Sequence, residues 1–538
     1  MKKNRFAGIL VGIFLVIFAG LSIGSSLHES LTYDEIVHTL EGKNALIQHT
    51  FLIDTYNPPL VRELAALPFV LGAGKFIHSP YPNIQAFPAR LMIIVLGLAI
   101  CAGVFWVAKY YFGTSIGLFS LLLYIFEPNI LANSHYVTLD IGGALFFFLA
   151  YITFVRALTK PTGKNWIIFG IASGCMAASK ITSLPFFALS AVFASFYMFG
   201  KKTVSWFWNK KMWAIIVMVT ALLVLWATYF FKLDVVIVPS ITRGRLSERL
   251  FQTASKQGNH LVTIGIRLLQ TKPIPLGNYV AVIKNTVLYA RQPKKVFFWG
   301  EFYGYSRWYY ILVNALVKFS IPLFILFITG ILFGLQDKKI RKSIIILLIP
   351  VISILVLASF GHMLPWMRYL LPMIPFVVMI AASSIRYVKN NWMIFLLLVL
   401  LVWHIVGTLS FYPNFLAYTN EFVNRKTSYE KLMDSNLEWG ESLITFAQYV
   451  GRAKPPSIRF SYFGRDDGNG YGLPSNFSYG SYKEDQICAF HEIKFPNNTG
   501  SSFTAISVSN WYYCGYYHDP KYSKAKIKSV VGNAILIY

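Results

Sequence analysis

The chain has 538 residues, of which 55% are hydrophobic, 17% aromatic and only 13% charged, and its mean hydropathy is +0.52. A soluble globular protein carries about 25% charged residues, so roughly half of the expected solvated surface is missing, which excludes an ordinary cytosolic enzyme, a disordered chain and a fibrous repeat. The net charge of +26 comes from 49 basic and 23 acidic residues; with no zinc-finger spacing and no RNA-binding signature it points to anionic lipid head groups or a lipid-phosphate substrate, not to nucleic acid.

The N-terminal Met1–Phe6 is basic and leads into an apolar run over 7–27 that has bilayer-spanning length. It lacks a small-residue cleavage site, so it reads as a retained first span and not as a removed signal peptide. Further apolar runs cover 89–108, 115–132, 140–158, 165–180, 182–200, 212–231, 308–335, 344–360, 369–385 and 392–411, which makes eleven. The short connections on one side are Met1–Arg5, Lys109, Arg156–Lys164, Lys201–Lys211, Lys338–Lys342 and Arg386–Lys389. They hold 17 Lys/Arg, with Asp337 the single acid beside them. The positive-inside rule makes this side cytoplasmic. An odd number of spans then places the C-terminal 127 residues outside. The expected architecture is a polytopic α-helical membrane protein of about eleven transmembrane helices, multi-pass in the plasma (inner) membrane, with its N-terminus cytoplasmic.

Three outer segments exceed a simple connection: 28–88, 232–307 and 412–538. The second is basic, and Arg243–Arg267 has the makings of a helix lying on the membrane surface. The third is polar and rich in Tyr, Gly, Asn and Ser, with alternating stretches at Ile458–Gly464 and Ala534–Tyr538. It reads as a small α/β or α+β extracytoplasmic domain, so that 1–411 forms the membrane domain and 412–538 the outer one. Cys101 and Cys175 fall in spans as inert core residues. Cys488 and Cys514 fall in the outer domain, where oxidation is permitted, but two cysteines do not define a framework.

Several outer residues carry chemistry. Asp34 and Glu35 follow the first span in L-T-Y-D-E-I-V-H, within a loop where six acids (Glu29, Asp34, Glu35, Glu41, Asp54, Glu63) face three bases. They are either solvated loop carboxylates or a general base held at the membrane surface, able to take a proton from an incoming hydroxyl. In Asn57–Glu63 (N-P-P-L-V-R-E) the prolines start a helix, and Arg62 sits one turn inside it. His135 and Asp140 bracket the outer start of span 140–158; Asp140 either caps that helix or joins Asp34 above a membrane cavity. Lys180, in A-A-S-K-I-T-S, and Arg368, in the stretch from Gly361 to Pro372 that also holds His362, are cations in apolar surroundings. Such charges need a partner; a snorkelling position or a lipid phosphate would supply it, and Arg suits phosphate through its bidentate fork.

The residues in order resemble the protein O-mannosyltransferase superfamily, membrane glycosyltransferases of the GT-C type, family 39. The nearer resemblance is to its bacterial polyprenyl-phosphate-sugar-dependent members. It rests on Asp-Glu after the first span, Pro-Pro-Leu in the same loop and His-x4-Asp before span 140–158. It continues through the W-G-E-containing segment 297–322, R-Y-L-L-P-M-I-P (368–375), Y-P-N-F-L-A-Y-T-N-E (412–421), D-S-N-L-E-W-G-E (434–441), S-Y-F-G (461–464), I-S-V-S (506–509) and the closing V-G-N-A-I-L-I-Y. The resemblance implies a GT-C fold and transfer of a sugar from a polyprenyl-phosphate carrier to a hydroxyl acceptor on the outer face. It implies Asp34 as general base with inversion at the anomeric carbon, Glu35 orienting the loop or acceptor, and Asp140 as the second acidic residue. Arg62, Arg368, Lys180 and Lys318 are then the groups for the carrier phosphate, with His135, Glu301 and His362 as further site candidates. Asn57 stands where the family has His or Lys before Pro-Pro, and Glu438 where Asp is common. The segment 232–307 is too short for the MIR domains of eukaryotic members, which weighs against protein Ser/Thr as acceptor.

The acceptor classes left open are a glycolipid, a cell-wall polymer and a secreted protein; membrane lipids are the other partners. No cofactor is required, while the acidic loop leaves room for a divalent metal. Two other classes compete: a polyprenyl-linked sugar transporter or flippase, and a non-catalytic relative that binds lipid-linked sugars. A transporter favours inverted repeats and broken helices at the midplane, whereas the unusual charges here gather at the outer face.

Overall fold

A computed structural model describes residues 2–51, 54–75, 79–236, 272–292, 295–361, 363–474, 487–495 and 498–538. The surface helix expected over Arg243–Arg267, and His362, lie outside these residues. The described chain is a bundle of apolar helices that carries a sheet domain at one end.

Every apolar run of the sequence is helical, because backbone N–H and C=O groups in hydrocarbon must be satisfied within the segment itself. Seven helices are long and apolar enough to cross a membrane: Arg5–His28, Pro82–Phe112, Asp140–Thr159, Ser183–Trp206, Arg341–Phe360, Met367–Tyr387 and Asn391–Leu409. Shorter apolar helices cover Thr114–Ile125, Gly163–Ala177 and Lys211–Ala227. The run expected as one span over 308–335 is instead two helices, Tyr310–Lys318 and Ile321–Gln336, bent by 110°. Pro322 explains the break, since it has no N–H to give Lys318 and its ring would clash with that carbonyl. Side chains take over the freed carbonyls. Asn129 donates to Lys318 O at 2.8 Å, and Asn420 donates to Leu316 O at 2.6 Å and Phe319 O at 2.8 Å. Counted as one bent span, the pair brings the helices that are long and apolar enough to cross a membrane to eight among the described residues, apart from the shorter apolar helices.

Two helices, Glu35–Gln48 and Leu60–Val70, fold back over the end of the bundle where the first span finishes. They cross closely at Gly42, where a Cβ would lie 2.1 Å from the carbonyl oxygen of Arg62. In the basic segment, Val296–Phe298 and Glu301–Tyr303 form a two-stranded hairpin. Its turn, Trp299 at φ 51° and Gly300 at φ 93°, has the positive φ pair that tight hairpins require.

The C-terminal domain is a five-stranded mixed sheet in the order 491–494, 457–461, 503–507, 535–537, 529–531. Strand 457–461 runs antiparallel to 491–494 and parallel to 503–507, and the other pairings are antiparallel. Helix Leu443–Ala453 covers the sheet with Leu443, Phe446 and Val450, and the Phe446 and Phe460 rings stack at 4.2 Å. Cys488 and Cys514 form a disulfide.

Candidate active site

Asp34 occupies the N-cap position of helix Glu35–Gln48, but its side chain makes no capping bond. Its neighbour Glu35 is drawn into the protein. Glu35 Oε1 accepts from Arg90 Nε at 2.9 Å and the Val137 N–H at 3.0 Å; Oε2 accepts from Arg90 Nη2 and the Thr32 N–H, both at 2.7 Å. The remaining guanidinium hydrogens of Arg90 reach the carbonyls of Ser26 (2.7 Å), Glu29 (3.0 Å) and Ser30 (2.7 Å). Burial pushes the Glu35 carboxyl up, yet Arg90 and the two N–H groups outweigh it and hold it below the usual range. The pair thereby ties the first loop, the 82–112 span and the 134–139 turn together beside Asp34.

Asp34 keeps 34% of its side chain exposed, and its Oδ2 lies 3.4 Å from Nη1 of Arg368, which is 20% exposed. Asp140, the first residue of its helix, bonds through Oδ1 to Nζ of Lys180. The Lys180 stem lies against Gly143, where a Cβ would stand 3.0 Å from that of Lys180, so glycine is what lets this cation reach Asp140. The Arg368 guanidinium sits 4.3 Å from the Trp439 ring and 5.8 Å from the Tyr369 ring, while Lys180 Nζ is 5.2 Å from Tyr369. Asp140, Asp34 and Asp434 all act electrostatically on Arg368. Two carboxylates and two cations therefore meet around aromatic rings at the end of the bundle. The cations are suited to a dianionic group, and the reachable carboxylate to a proton.

The sheet domain reaches directly into this cluster. The Ser30 N–H donates to Glu441 O at 2.9 Å and the Tyr33 N–H to Trp439 O at 2.8 Å, while the Leu31 N–H donates to Asp466 Oδ2 at 2.7 Å. Asn436 takes the Met367 N–H at 2.8 Å and donates to Pro365 O at 3.0 Å, fixing the turn that carries Arg368. The segment 434–441 thus holds both Asp34 and Arg368. Its acids are buried. Burial pushes Glu441 up to about 7 with Glu29 nearby, and Glu29, also desolvated, to about 8.

Three of the other expected site residues, Arg62, Lys318 and His135, are held by partners of their own. Arg62, 1% exposed, bonds to Asp54 Oδ2 at 3.2 Å and Asn57 O at 2.5 Å. Lys318 donates to the carbonyls of Leu416 (2.7 Å), Tyr418 (2.7 Å) and Asn436 (2.9 Å), which occupies all three ammonium hydrogens. His135 Nε2 lies 2.6 Å from Glu29 Oε2, and burial lowers its pKa to about 3, so the imidazole is neutral. Glu301 is exposed in the 296–303 hairpin, paired across it with Phe298. Among the described residues no three His, Cys, Asp or Glu side chains converge as metal ligands do. Arg90, Trp439 and Asp434 are the residues that sequence reasoning did not single out. Arg90 carried a signal: it is a full charge within the first turns of an apolar span, where a charge needs a partner.

Residues 82–230 match the family model described as dolichyl-phosphate-mannose-protein mannosyltransferase. Among solved structures, ArnT from Cupriavidus metallidurans in the apo state superposes with a TM-score of 0.52 at 12% identity, covering 100% of this chain and 98% of that one. The chain has the GT-C fold. The archaeal oligosaccharyltransferase AglB from Archaeoglobus fulgidus, in complex with an inhibitory peptide and a dolichol-phosphate, aligns at 15% identity and a TM-score of 0.47, over 80% of this chain and 59% of that one. The protein O-mannosyltransferase Pmt1-Pmt2 complex of S. cerevisiae, bound to the sugar donor, aligns at 21% identity and a TM-score of 0.35, over 42% of this chain and 33% of that one. No curated protein matches the sequence significantly. Within this GT-C chain the family match covers the spans that carry Arg90, Asp140 and Lys180, and Asp34 and Arg368 come from outside it.

Proposed function

We propose that this GT-C protein transfers a sugar from a polyprenyl-phosphate carrier to a hydroxyl acceptor at the outer face of the plasma membrane. Asp34 takes the proton of the acceptor hydroxyl as its oxygen attacks the anomeric carbon from the side opposite the phosphate, which inverts that centre. The bond from the anomeric carbon to the phosphate oxygen breaks, and the carrier phosphate leaves with the bonding pair. A phosphate needs no protonating acid to leave, so a single general base and a cationic cradle suffice. Arg368 and Lys180 take the growing negative charge, and Asp140 keeps Lys180 in place. Glu35 acts through position, since all its acceptor capacity goes to Arg90 and two backbone N–H groups.

The observation that carries the reading is the contact of Arg368 with Asp34, beside the Asp140–Lys180 pair, with both groups reachable from outside. A carboxylate and a guanidinium that already touch will separate when a phosphate competes for the guanidinium, and this frees the base at the moment of donor binding. The acceptor is a glycolipid, a cell-wall polymer or a secreted protein. The test incubates purified protein with radiolabelled polyprenyl-phosphate sugars and membrane fractions. The wild type should consume a donor and label one fraction, and Asp34→Asn should bind the carrier without labelling anything. Consumption of no polyprenyl-phosphate sugar would sink the assignment, and transport activity indifferent to Asp34→Asn would favour a flippase.

A further inference from the structure

Asp434 is a third carboxylate near Arg368, and the transfer steps above give it no task. Its backbone is left-handed, at φ 50°, a strained conformation for a residue with a side chain and one that proteins retain at functional sites. The surroundings enforce it. The Asp434 N–H donates to Ser509 Oγ at 3.0 Å, Oδ1 accepts from the Ser435 N–H at 2.5 Å, and Oδ2 accepts from the Tyr513 O–H at 2.8 Å. None of these bonds ties the sheet domain to the membrane part. That work falls to Asn436, Trp439, Gly440 and Glu441 of the same segment. Asp434, 9% exposed, therefore sits in the segment that covers Arg368 without serving to attach it.

Position decides what this segment faces. Arg368 stands at the start of the Met367–Tyr387 span, and the tail of a carrier whose phosphate rests there must leave toward the membrane. A sugar on the opposite phosphate oxygen would extend away from the membrane, the side on which segment 434–441 packs over Arg368. Asp434 acts electrostatically on Arg368, and Asp34 acts on Asp434. Tyr513 is 43% exposed, with its ring 5.8 Å from Phe463 and 5.9 Å from Phe302. Its phenol spends its hydrogen on Asp434, which leaves the phenol oxygen as an acceptor.

We propose that Asp434 and Tyr513 form the subsite for the hydroxyl groups of the sugar being transferred, with the Asp434 carboxylate and the Tyr513 phenol oxygen accepting sugar O–H donors. This rests on the transfer reading and adds to it the place where donor sugars are told apart. A site built to accept hydroxyl hydrogens discriminates strongly against a donor that lacks them, because its own polar groups are then left unpaired.

The test uses the full chain in lipid nanodiscs. The Kd for undecaprenyl phosphate, which carries no sugar, is compared with the KM for the undecaprenyl-phosphate sugar that the wild type consumes from a panel of hexoses and pentoses. Asp434→Asn and Tyr513→Phe should each raise the donor KM roughly tenfold or more while the carrier Kd does not rise. A donor lacking the matching hydroxyl should be penalised by the wild type and not by Asp434→Asn. Both constants rising together would mean a scaffold role and overturn the subsite, as would a donor KM that does not rise. A wild type that binds undecaprenyl phosphate but consumes no donor would refute the transfer reading instead, and the subsite with it.

Discussion

Glu35→Gln tests whether the residue beside the proposed base positions the loop or takes part in the chemistry. Glu35 is 1% exposed and Arg90 0%, so the substitution leaves a buried guanidinium without its counter-charge. Removing one partner of a buried pair costs about 3–5 kcal/mol. The lower end applies here, because the amide oxygen still accepts one hydrogen bond and Arg90 keeps three carbonyl partners. About 3 kcal/mol is a large share of a typical stability of 5–15 kcal/mol. Thermal unfolding in detergent micelles should show a clear fall in Tm. Transfer should fall as well, by roughly a hundredfold, since a catalytic group displaced by about 1 Å loses that much. Arg90→Met should be at least as damaging, whereas Glu35→Leu combined with Arg90→Met should recover part of the loss, because no buried charge then stands alone. A Glu35→Gln protein with unchanged Tm and abolished transfer would refute the positioning role and make Glu35 a chemical participant.

Asp34→Asn should lower transfer by about 10²–10⁴-fold while undecaprenyl phosphate binds at least as tightly, since the amide no longer competes for Arg368, as radiolabel transfer and carrier titration would report. Glu29 and Glu441 have folded-state pKa values raised to about 8 and about 7 by burial. Their contribution to stability is complete below the unfolded value near 4.5 and is lost as pH rises through 7 and 8. Tm measured from pH 5 to 9 should therefore decline, and Glu441→Gln should flatten the slope; a Tm that rises over that interval would contradict the sign. Lys318→Met leaves the carbonyls of Leu416, Tyr418 and Asn436 without donors, so it should reduce the folded yield and Tm more than carrier affinity, by comparison of the variant's Tm and carrier Kd with wild type. Reduction of the Cys488–Cys514 bridge, which spans 26 residues, should lower the Tm of the sheet domain by an amount corresponding to roughly 3 kcal/mol, followed by unfolding with and without reductant.

Hydropathy located the helices well because membrane spans are dictated by a single requirement, apolar residues over a fixed length. It missed the 110° break at Phe319–Ser320, since both halves are apolar and the side chains that make the bend tolerable, Asn129 and Asn420, come from distant parts of the chain. The four charges of the cluster, Asp34, Asp140, Lys180 and Arg368, stood out in the sequence because each is a charge in or beside an apolar run. Their neighbours did not. Lys318 looked like them and instead holds three carbonyls, and Arg90 was read as part of a span although it is the partner of Glu35. Trp439 and Asp434 lie in a polar segment, where composition gives no signal. Only the folding of the sheet domain back onto residues 30–33 brings them over Arg368.

The most direct test of the central arrangement is a cryo-electron microscopy structure of the full chain in nanodiscs with undecaprenyl phosphate. The phosphate should lie within about 3 Å of the Arg368 guanidinium, with Lys180 beside it and Asp34 released from its present contact. A carrier phosphate bound away from Arg368, with the Arg368–Asp34 pair intact, would contradict the account.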